Sequence, residues 1–227
     1  MLEIRHLNAS YGQAQVLFNV SFSVPVGSMV LVQGLNGAGK STLLKSIMGL
    51  MPSTTGEIVW AGCHLQSLAP HERSQLGLGY VPEDRRLFSA LTVRQNLEIA
   101  APTREKKRTV NRAPFSLQDA LNLFPSLATM MDRPASQMSG GEQQMLALGR
   151  TLMTQPDMLL LDEPCEGIAP VLVASMAEAL SKLKNEGFTL FIAEQNKTLT
   201  ALADQVLHLA GGAIQNGLAQ AHVYPNA

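Results

Sequence analysis

Residues 34–41, GLNGAGKS, follow the pattern G-x-x-x-x-G-K-[ST] and constrain the fold more than any other stretch of the chain. A short apolar run, SMVLVQ at 28–33, precedes this loop, and STLLKSIMGL at 41–50 follows it as a predicted helix. In such a strand, loop and helix unit the glycines let backbone amides turn inward around phosphate oxygens. We expect Lys40 to reach the β- and γ-phosphates of a nucleotide and Ser41 to place its hydroxyl on Mg²⁺.

A second stretch, MLLLDEP at 158–164, places two acids directly after an apolar run that is typical of a buried strand. Asp162 is expected at the strand end, where its carboxylate can hold Mg²⁺ or one of its waters. Glu163 follows and is expected to polarise a water aimed at the γ-phosphate. An Asp-Glu-Pro sequence is by itself a common strand exit, but its pairing with the glycine-rich loop favours nucleotide chemistry.

A third stretch, MSGGEQQMLALGR at 138–150, predicts the start of a helix. Ser139 and Glu142 have the S-x-x-E spacing of a capping box. Gly140 and Gly141 leave the backbone amides at this helix start uncovered, which favours binding of an anion. The cap and the anion site are compatible, so both are expected.

Apolar patterning predicts the remaining elements. A strand at 16–24 is predicted with Val16, Phe18, Val20, Phe22 and Val24 on one face. Further strands are predicted at 77–82 and 188–193, and further helices at 91–100, where Thr92 is the cap, at 116–123 and at 140–154. A helix is predicted to start near Pro170, and one of its faces carries Leu172, Met176, Leu180 and Leu183. A mainly helical segment of about 70 residues thus separates two α/β portions, which predicts one parallel-sheet core with an inserted helical subdomain.

The net charge of −1 excludes binding to nucleic acid through a broadly basic surface. The basic run at 104–112 contains Glu105 and has no interleaved aromatic residues, so we predict a solvated linker over 103–114. Two cysteines, Cys63 and Cys165, form no disulfide framework or zinc motif. Cys165, which lies beside the two acids, is interpreted as a small loop residue rather than a redox sensor. For Met130, Met131 and Met138, an adaptable contact surface and core filling both stay open.

Charged residues make up 15% of the chain, against about 25% in soluble proteins, and hydrophobic residues 46%, which indicates sizeable contacts with other proteins. No run approaches the roughly 18 apolar residues needed to cross a bilayer. The first residues, MLEIRHLNAS, lack the pattern of a secretory signal. We therefore expect a soluble, cytoplasmic protein whose membrane role, if it has one, comes through partners.

In this order and spacing, GLNGAGKST, MSGGEQQ and LLLDEP resemble the Walker A, signature and Walker B motifs of ABC-transporter ATPases. YVPEDRR at 80–86 and AEQN at 193–196 further resemble the importers for branched-chain amino acids. The resemblance implies an α/β fold of the P-loop NTPase (RecA-like) type, with a parallel-sheet core, an N-terminal antiparallel β subdomain and an inserted helical subdomain. It implies a single domain, 1–227, with the nucleotide-binding core at 1–84 and 157–227 and the insert at 85–156.

The same resemblance assigns roles to individual residues. It implies ATP binding by Tyr11, which would stack on adenine, and by Gly34, Leu35, Asn36, Gly37, Ala38, Gly39, Lys40, Ser41 and Thr42. It implies contact with the ATP of a partner subunit by Ser139, Gly140, Gly141, Glu142 and Gln143. It implies Mg²⁺ coordination by Ser41, Asp162 and Glu83, and catalysis by Glu163 and Gln195. The stretch CEGIAP at 165–170 matches the D-loop, which crosses to the partner.

Two of these positions depart from the common family pattern. Glu83 stands where many members have glutamine, and Gln195 stands where many have histidine. A carboxylate oxygen can meet Mg²⁺ or a water much as a glutamine oxygen does. Gln195 can hydrogen-bond a γ-phosphate oxygen but cannot carry an added proton. For both residues a plain loop role stays open.

The resemblance implies an ATP- and Mg²⁺-dependent ATPase subunit of an importer for branched-chain or related amino acids. The implied partners are a second ABC ATPase subunit, either a related chain or a second copy, two membrane permease subunits and an extracytoplasmic binding protein, with no nucleic acid. The implied place is the inner face of the cell membrane, where the permeases hold the subunit. A urea or short-chain amide importer, a lipid or lipopolysaccharide exporter, and a soluble ABC ATPase acting on ribosomes or DNA stay open as alternatives.

Overall fold

The computed structural model describes residues 1–102, 112–195 and 197–215. Its strands are β1 (Leu2–Tyr11), β2 (Ala14–Val24), β3 (Met29–Gln33), β4 (Ser53–Trp60), β5 (Cys63–His64), β6 (Leu78–Val81), β7 (Met158–Asp162), β8 (Thr189–Glu194), β9 (Gln205–Ala210) and β10 (Ala213–Ile214). Its helices are α1 (Lys40–Met48), α2 (Pro70–Gln75), α3 (Val93–Glu98), α4 (Leu117–Leu123), α5 (Pro125–Ala128), α6 (Gly140–Met153) and α7 (Pro170–Asn185). Single 3₁₀ turns lie at Ala135–Gln137 and Thr200–Leu202.

The strands form two sheets. The first is antiparallel, in the order β2-β1-β4-β5, and the second has the order β10-β9-β3-β8-β7-β6. Every pairing in the second sheet is parallel except that of β10 with β9. All residues of β3, β7 and β8 are buried, as expected for parallel strands covered on both faces. The predicted architecture of a parallel-sheet core, an antiparallel N-terminal sheet and intervening helices is confirmed.

The parallel sheet separates two hydrophobic clusters. Met29 and Leu31 face the cluster that contains α3, α4, α6 and α7, whereas Val30 and Val32 face the cluster under the antiparallel sheet. Met130, Met131 and Met138 are buried in the first cluster, which decides in favour of core filling. In α7, Met176, Leu180 and Leu183 are buried as predicted, and Leu172 is partly buried. The domain boundaries at 84–85 and 156–157 stay predictions.

The prediction that one face of β2 carries every second residue from Val16 to Val24 is wrong. Leu17 is buried and Phe18 is 45% exposed, whereas Val20 and Val24 are buried. The cause is an irregularity at Asn19, whose φ is 49°, where the register against β1 shifts between Leu7 and Ala9. An extra residue at such a bulge turns the side chains before it to the opposite face.

The predicted linker is only partly described, since residues 103–111 lie outside the described ranges. The described part of the predicted linker, from Arg112 on, contradicts the prediction of a solvated segment, because the Arg112 side chain packs against the core. The Arg112 guanidinium carbon lies 3.4 Å from the centroid of the Phe188 ring, and its Nη2 donates to the carbonyl oxygen of Pro156 at 2.7 Å. A guanidinium stacked on an aromatic face is a favourable placement for a basic side chain that leaves water.

Within the ranges that the structure describes, no helix has both the length and the apolar character required to cross a membrane.

Arg73 of α2 stabilises the C-terminal end of α1, the helix that follows the glycine-rich loop. Its buried guanidinium donates to the carbonyl oxygens of Ser46 and Ile47 at 2.9 and 2.8 Å, and its Nε donates to Leu68 at 2.9 Å. A cation at this end complements the helix dipole. Burial lowers the pKa of Arg73. Gly49, with φ of 74°, is the residue that ends α1. A Cβ at this position would lie 2.8 Å from the Arg73 guanidinium, so a larger residue would displace it.

We expect Arg73→Met to lower the free energy of unfolding by about 2–4 kcal/mol, because it removes a buried charged donor from the carbonyl oxygens of Ser46 and Ile47 at the end of α1. Chemical denaturation of the purified protein measures the effect. Arg5→Met is the control, since Arg5 makes exposed ion pairs with Glu3 and Glu57, and we expect it to cost less than about 1 kcal/mol. Equal losses for the two variants would contradict the assigned role of Arg73.

Candidate active site

The glycine-rich loop between β3 and α1 has a backbone that residues with a side chain rarely adopt. Gly37 and Gly39 have φ of 79° and 105°. A Cβ on Gly34 would meet the backbone carbonyl oxygen of Leu209 in β9. No side chain caps the N-terminus of α1, and its first turn contains no acidic residue. Its first amides are therefore directed at the loop, as at a helix start that binds a phosphate.

Lys40 is held at the mouth of this loop by three oxygens. Its Nζ donates to the carbonyl oxygens of Gly34 and Leu35 at 2.8 and 3.2 Å. The same atom forms an ion pair with Oε1 of Glu163 at 2.9 Å, and the two side chains are only 4% and 8% exposed. The structure thus brings the loop lysine into direct contact with the second acid of the DEP stretch.

Asp162, the first acid, is fixed by two hydroxyl groups. Ser41 Oγ donates to its Oδ1 at 2.9 Å, and Tyr80 Oη donates to its Oδ2 at 3.2 Å. Burial raises the pKa of Asp162, and the two hydrogen bonds act in the opposite direction. Burial, together with the charge of Asp162, raises the pKa of Tyr80 far above its usual value, so the phenol remains a donor.

Glu163 leaves the strand in a left-handed conformation, with φ of 49°. Its backbone N–H donates to the carbonyl oxygen of Ala193 in β8 at 2.9 Å, which holds this unfavourable conformation in place. Glu166 lies next to Glu163, and both line one cavity. A hydrogen bond with Glu163, followed by burial and by the charge of Glu163, raises the pKa of Glu166.

A cavity of about 410 Å³ lies beside Lys40, Ser41 and Glu163. It is lined by Val16, Asn36, Gly37, Gly39, Lys40, Ser41, Thr42, Glu83, Glu163 and Glu166. An adjoining cavity of about 230 Å³ contains Asp162 together with Glu83, so Glu83 faces both spaces. Sequence reasoning missed Val16, Tyr80 and Glu166. Glu166 is the one with a signal in the sequence, since it lies three residues after Glu163 in the CEGIAP stretch.

Some predicted residues do not line the larger cavity. Tyr11 ends β1 and is 47% exposed, and Gln195 is exposed directly after β8. Leu35 projects from the loop with 76% of its surface exposed, and Gly34 and Ala38 support the loop from behind. The predicted roles of these residues stay predictions.

The oxygen atoms of Ser41, Asp162 and Glu83 form a donor set that fits Mg²⁺. A hydroxyl and a carboxylate meet at 2.9 Å, and a second carboxylate lines the neighbouring wall. In the part of the chain that the structure describes, no group of three His, Cys, Asp or Glu residues is arranged to hold a metal ion. A partial oxygen shell of this kind suits Mg²⁺, which keeps several waters and binds substrate phosphates rather than an all-protein cage.

The predicted capping box at the start of α6 is confirmed. The Ser139 N–H donates to Oε2 of Glu142 at 2.7 Å, and the Glu142 N–H donates to Ser139 Oγ at 3.4 Å. These bonds lower the pKa of Glu142. The Gly141 Cα packs against Leu172 and leaves no room for a Cβ, and Gln143 donates to the Ala135 carbonyl oxygen at 2.9 Å.

None of the five residues from Ser139 to Gln143 lines either cavity at the phosphate loop. The chain therefore does not fold its own signature stretch onto its own loop.

Comparison with known proteins identifies relatives across the chain. A family model described as ABC transporter matches residues 17–166. The chain is 40% identical to BraG of Pseudomonas aeruginosa, a high-affinity branched-chain amino acid transport ATP-binding protein, over 96% of this chain and 90% of that one. It is 37% identical to LivF of Archaeoglobus fulgidus, a probable branched-chain amino acid transport ATP-binding protein, over 96% and 92%. A solved ATP-binding subunit of an ABC transporter superimposes with a TM-score of 0.81 at 28% identity, over 97% and 90% of the two chains.

Ser139 and Ser116 provide a matched pair for separating helix capping from ligand contact. Ser116 caps α4 through an equivalent capping box with Asp119, whose N–H donates to Ser116 Oγ at 3.1 Å. We expect Ser139→Ala and Ser116→Ala each to lower the free energy of unfolding by about 1 kcal/mol. If Ser139 contacts the ATP of a partner subunit as the sequence predicts, only Ser139→Ala should also reduce nucleotide hydrolysis, by about tenfold or more, because that contact is a hydrogen bond to a charged phosphate. Denaturation curves and phosphate release measure the two effects, and equal hydrolysis rates would limit Ser139 to capping.

Proposed function

We propose that this chain, which belongs to the ABC transporter family, is the ATP-hydrolysing subunit of an importer for branched-chain or related amino acids. The observation that carries the proposal is the joined site in which Lys40 contacts Glu163 and Ser41 contacts Asp162. The amino-acid cargo rests on the likeness to BraG and LivF. Family membership and the site together make the chain an ATPase.

In this function, the phosphates of ATP bind where the uncapped amides of α1 and the Lys40 ammonium group point into the loop. Ser41, Asp162 and Glu83 would hold Mg²⁺, which neutralises phosphate charge when it is bound. Glu163 lines the same cavity and orients a water toward the γ-phosphate, accepting its proton as the water attacks. Lys40 keeps this carboxylate at the phosphate loop before the reaction.

We further propose that the active form contains two ATPase subunits arranged head to tail. The support is that Ser139–Gln143 lie apart from the chain's own cavity, so a phosphate at the α6 start would be held by another subunit's loop. Each subunit would contribute the loop of one site and the signature stretch of the other. The second subunit is a related chain or a second copy.

A groove beside the core suggests where the permease subunits attach. This side groove encloses about 440 Å³ and is lined by Met48, Ser74, Leu78, Gly79, Tyr80, Arg86, Phe88, Ile99, Ala100, Arg150, Thr151 and Thr154. Phe88 and Ile99 are 51% and 61% exposed and line this groove together. Exposed apolar residues that cluster in this way mark surfaces that bind other proteins. Through such contacts, the permease subunits would hold this subunit at the inner face of the membrane. An extracytoplasmic substrate-binding protein would complete the importer on the opposite side.

Affinity purification of the tagged chain from detergent-solubilised membranes tests the assembly. We expect two permease chains and a second ATPase subunit to co-purify, or this chain alone as ATPase if the pair is identical. Ribosomal proteins without any permease would contradict the transport function. Uptake of labelled leucine and labelled urea by cells lacking the chain decides the cargo, and loss of urea uptake alone would contradict the amino-acid assignment.

We expect Glu163→Gln to reduce ATP hydrolysis in the assembled complex by at least about 100-fold, because the carboxylate that accepts the proton is lost. ATP binding should persist, since the loop and Lys40 are unchanged. Phosphate release and binding of a labelled nucleotide measure the two properties. Glu186→Gln is the control, because Glu186 is exposed at the end of α7. Normal turnover by Glu163→Gln would refute the assignment of Glu163 as the base.

A further inference from the structure

Tyr80 connects a neighbouring strand to the acid that ends β7. It lies in β6, paired with Leu160, two residues before Asp162 in β7. Its hydroxyl crosses to Asp162 Oδ2 at 3.2 Å, while Ser41 occupies Oδ1 at 2.9 Å. Since each carboxylate oxygen accepts a hydrogen bond from a different element, the carboxylate plane cannot rotate without breaking at least one bond.

We propose that Tyr80 is the positioning residue that orients Asp162 toward the divalent cation of the bound nucleotide. The inference rests on the proposed function, since it concerns the cation that accompanies ATP at this site. Mg²⁺ requires nearly ideal octahedral geometry, so a carboxylate ligand that is free to rotate binds it less well. Partners that orient a metal ligand typically change metal affinity about 10–100-fold when they are removed.

The surroundings of Tyr80 explain why a tyrosine rather than a phenylalanine serves this role. Tyr80 lines both the side groove and the 230 Å³ cavity that contains Asp162 and Glu83, and its hydroxyl bonds to Asp162. Phenylalanine would fill the same wall without reaching the carboxylate. A hydroxyl withdrawn from water costs free energy unless it finds a partner, and Asp162 provides one.

A purely structural role for this bond has different consequences. If Tyr80 only satisfied a buried carboxylate, its removal would change the free energy of unfolding and leave metal affinity unaltered. Orientation of Asp162, by contrast, changes the affinity for the cation and leaves metal-free nucleotide binding unaltered, because the loop amides and Lys40 contact the phosphates directly. The affinity for the cation therefore distinguishes the two roles.

The test uses the full-length chain with a non-hydrolysable ATP analogue, and Mn²⁺ as the probe in place of Mg²⁺. Electron paramagnetic resonance measures free Mn²⁺ and gives its dissociation constant for wild type, Tyr80→Phe and Thr151→Val. Thr151→Val is the matched control, since it removes a hydroxyl from the same groove that bonds only within α6, to the Ala147 carbonyl oxygen at 2.9 Å. Analogue binding in EDTA is measured for all three proteins.

We expect Tyr80→Phe to weaken Mn²⁺ binding about tenfold and to leave analogue binding in EDTA within about twofold of wild type. Thr151→Val should leave both constants unchanged. Unchanged Mn²⁺ affinity in Tyr80→Phe, or an equal loss in both variants, would overturn the inference while leaving the proposed ATPase function intact. A wild-type chain that binds no ATP analogue would contradict the proposed function and this inference with it.

Discussion

The buried ion pair between Lys40 and Glu163 is the contact on which the arrangement of the active edge depends. Two opposite charges removed from water are costly to separate, because either one alone would be left without compensation. The pair joins the loop after β3 to the exit of β7, and Ser41 with Asp162 makes a second connection between the same two segments. A displacement of either segment would therefore move both the glycine-rich loop and the two acids.

The parallel sheet explains why these groups meet. β3, β8 and β7 run side by side in parallel, so their carboxyl ends lie at one edge of the sheet. The glycine-rich loop follows β3, Asp162 ends β7 with Glu163 directly after it, and Gln195 follows β8. The strands contribute rigid positions, and the residues directly after them contribute the chemistry, as is general in open α/β sheets. The left-handed conformation of Glu163 is tolerated here because its N–H bonds to Ala193 across the β7–β8 pair. This hydrogen bond, at the end of two fully buried strands, thus offsets the unfavourable backbone conformation of Glu163.

Sequence reasoning predicted the elements whose causes are local. The loop, α1, β7 and the capped start of α6 depend on glycine conformation, apolar runs and the spacing of Ser139 and Glu142, all of which are visible in short stretches. The face of β2 could not be predicted, because the irregularity at Asn19 depends on its pairing with β1. The contacts of Tyr80 and Arg112 were missed for a related reason. Tyr80 and Asp162 lie 82 positions apart in the sequence, and Arg112 and Pro156 lie 44 apart. Hydrophobic patterns of period two or 3.6 carry no information about such distant pairs.

The loop after β6 gives the site a mechanical connection to the helical segment. Arg85 and Arg86 both have positive φ, at 60° and 46°, just after Glu83. Arg85 donates through Nε to Gln144 at 3.1 Å and through Nη1 to Gln143 at 3.3 Å, both in α6. Arg150, further along α6, donates back to the carbonyl oxygen of Arg86 at 2.8 Å. Because the bonds run in both directions, a displacement of Glu83 that carries Arg85 and Arg86 with it either moves α6 or breaks these bonds. The start of α6, at Ser139–Gln143, is therefore connected to the cavity wall although it lines neither cavity beside the glycine-rich loop.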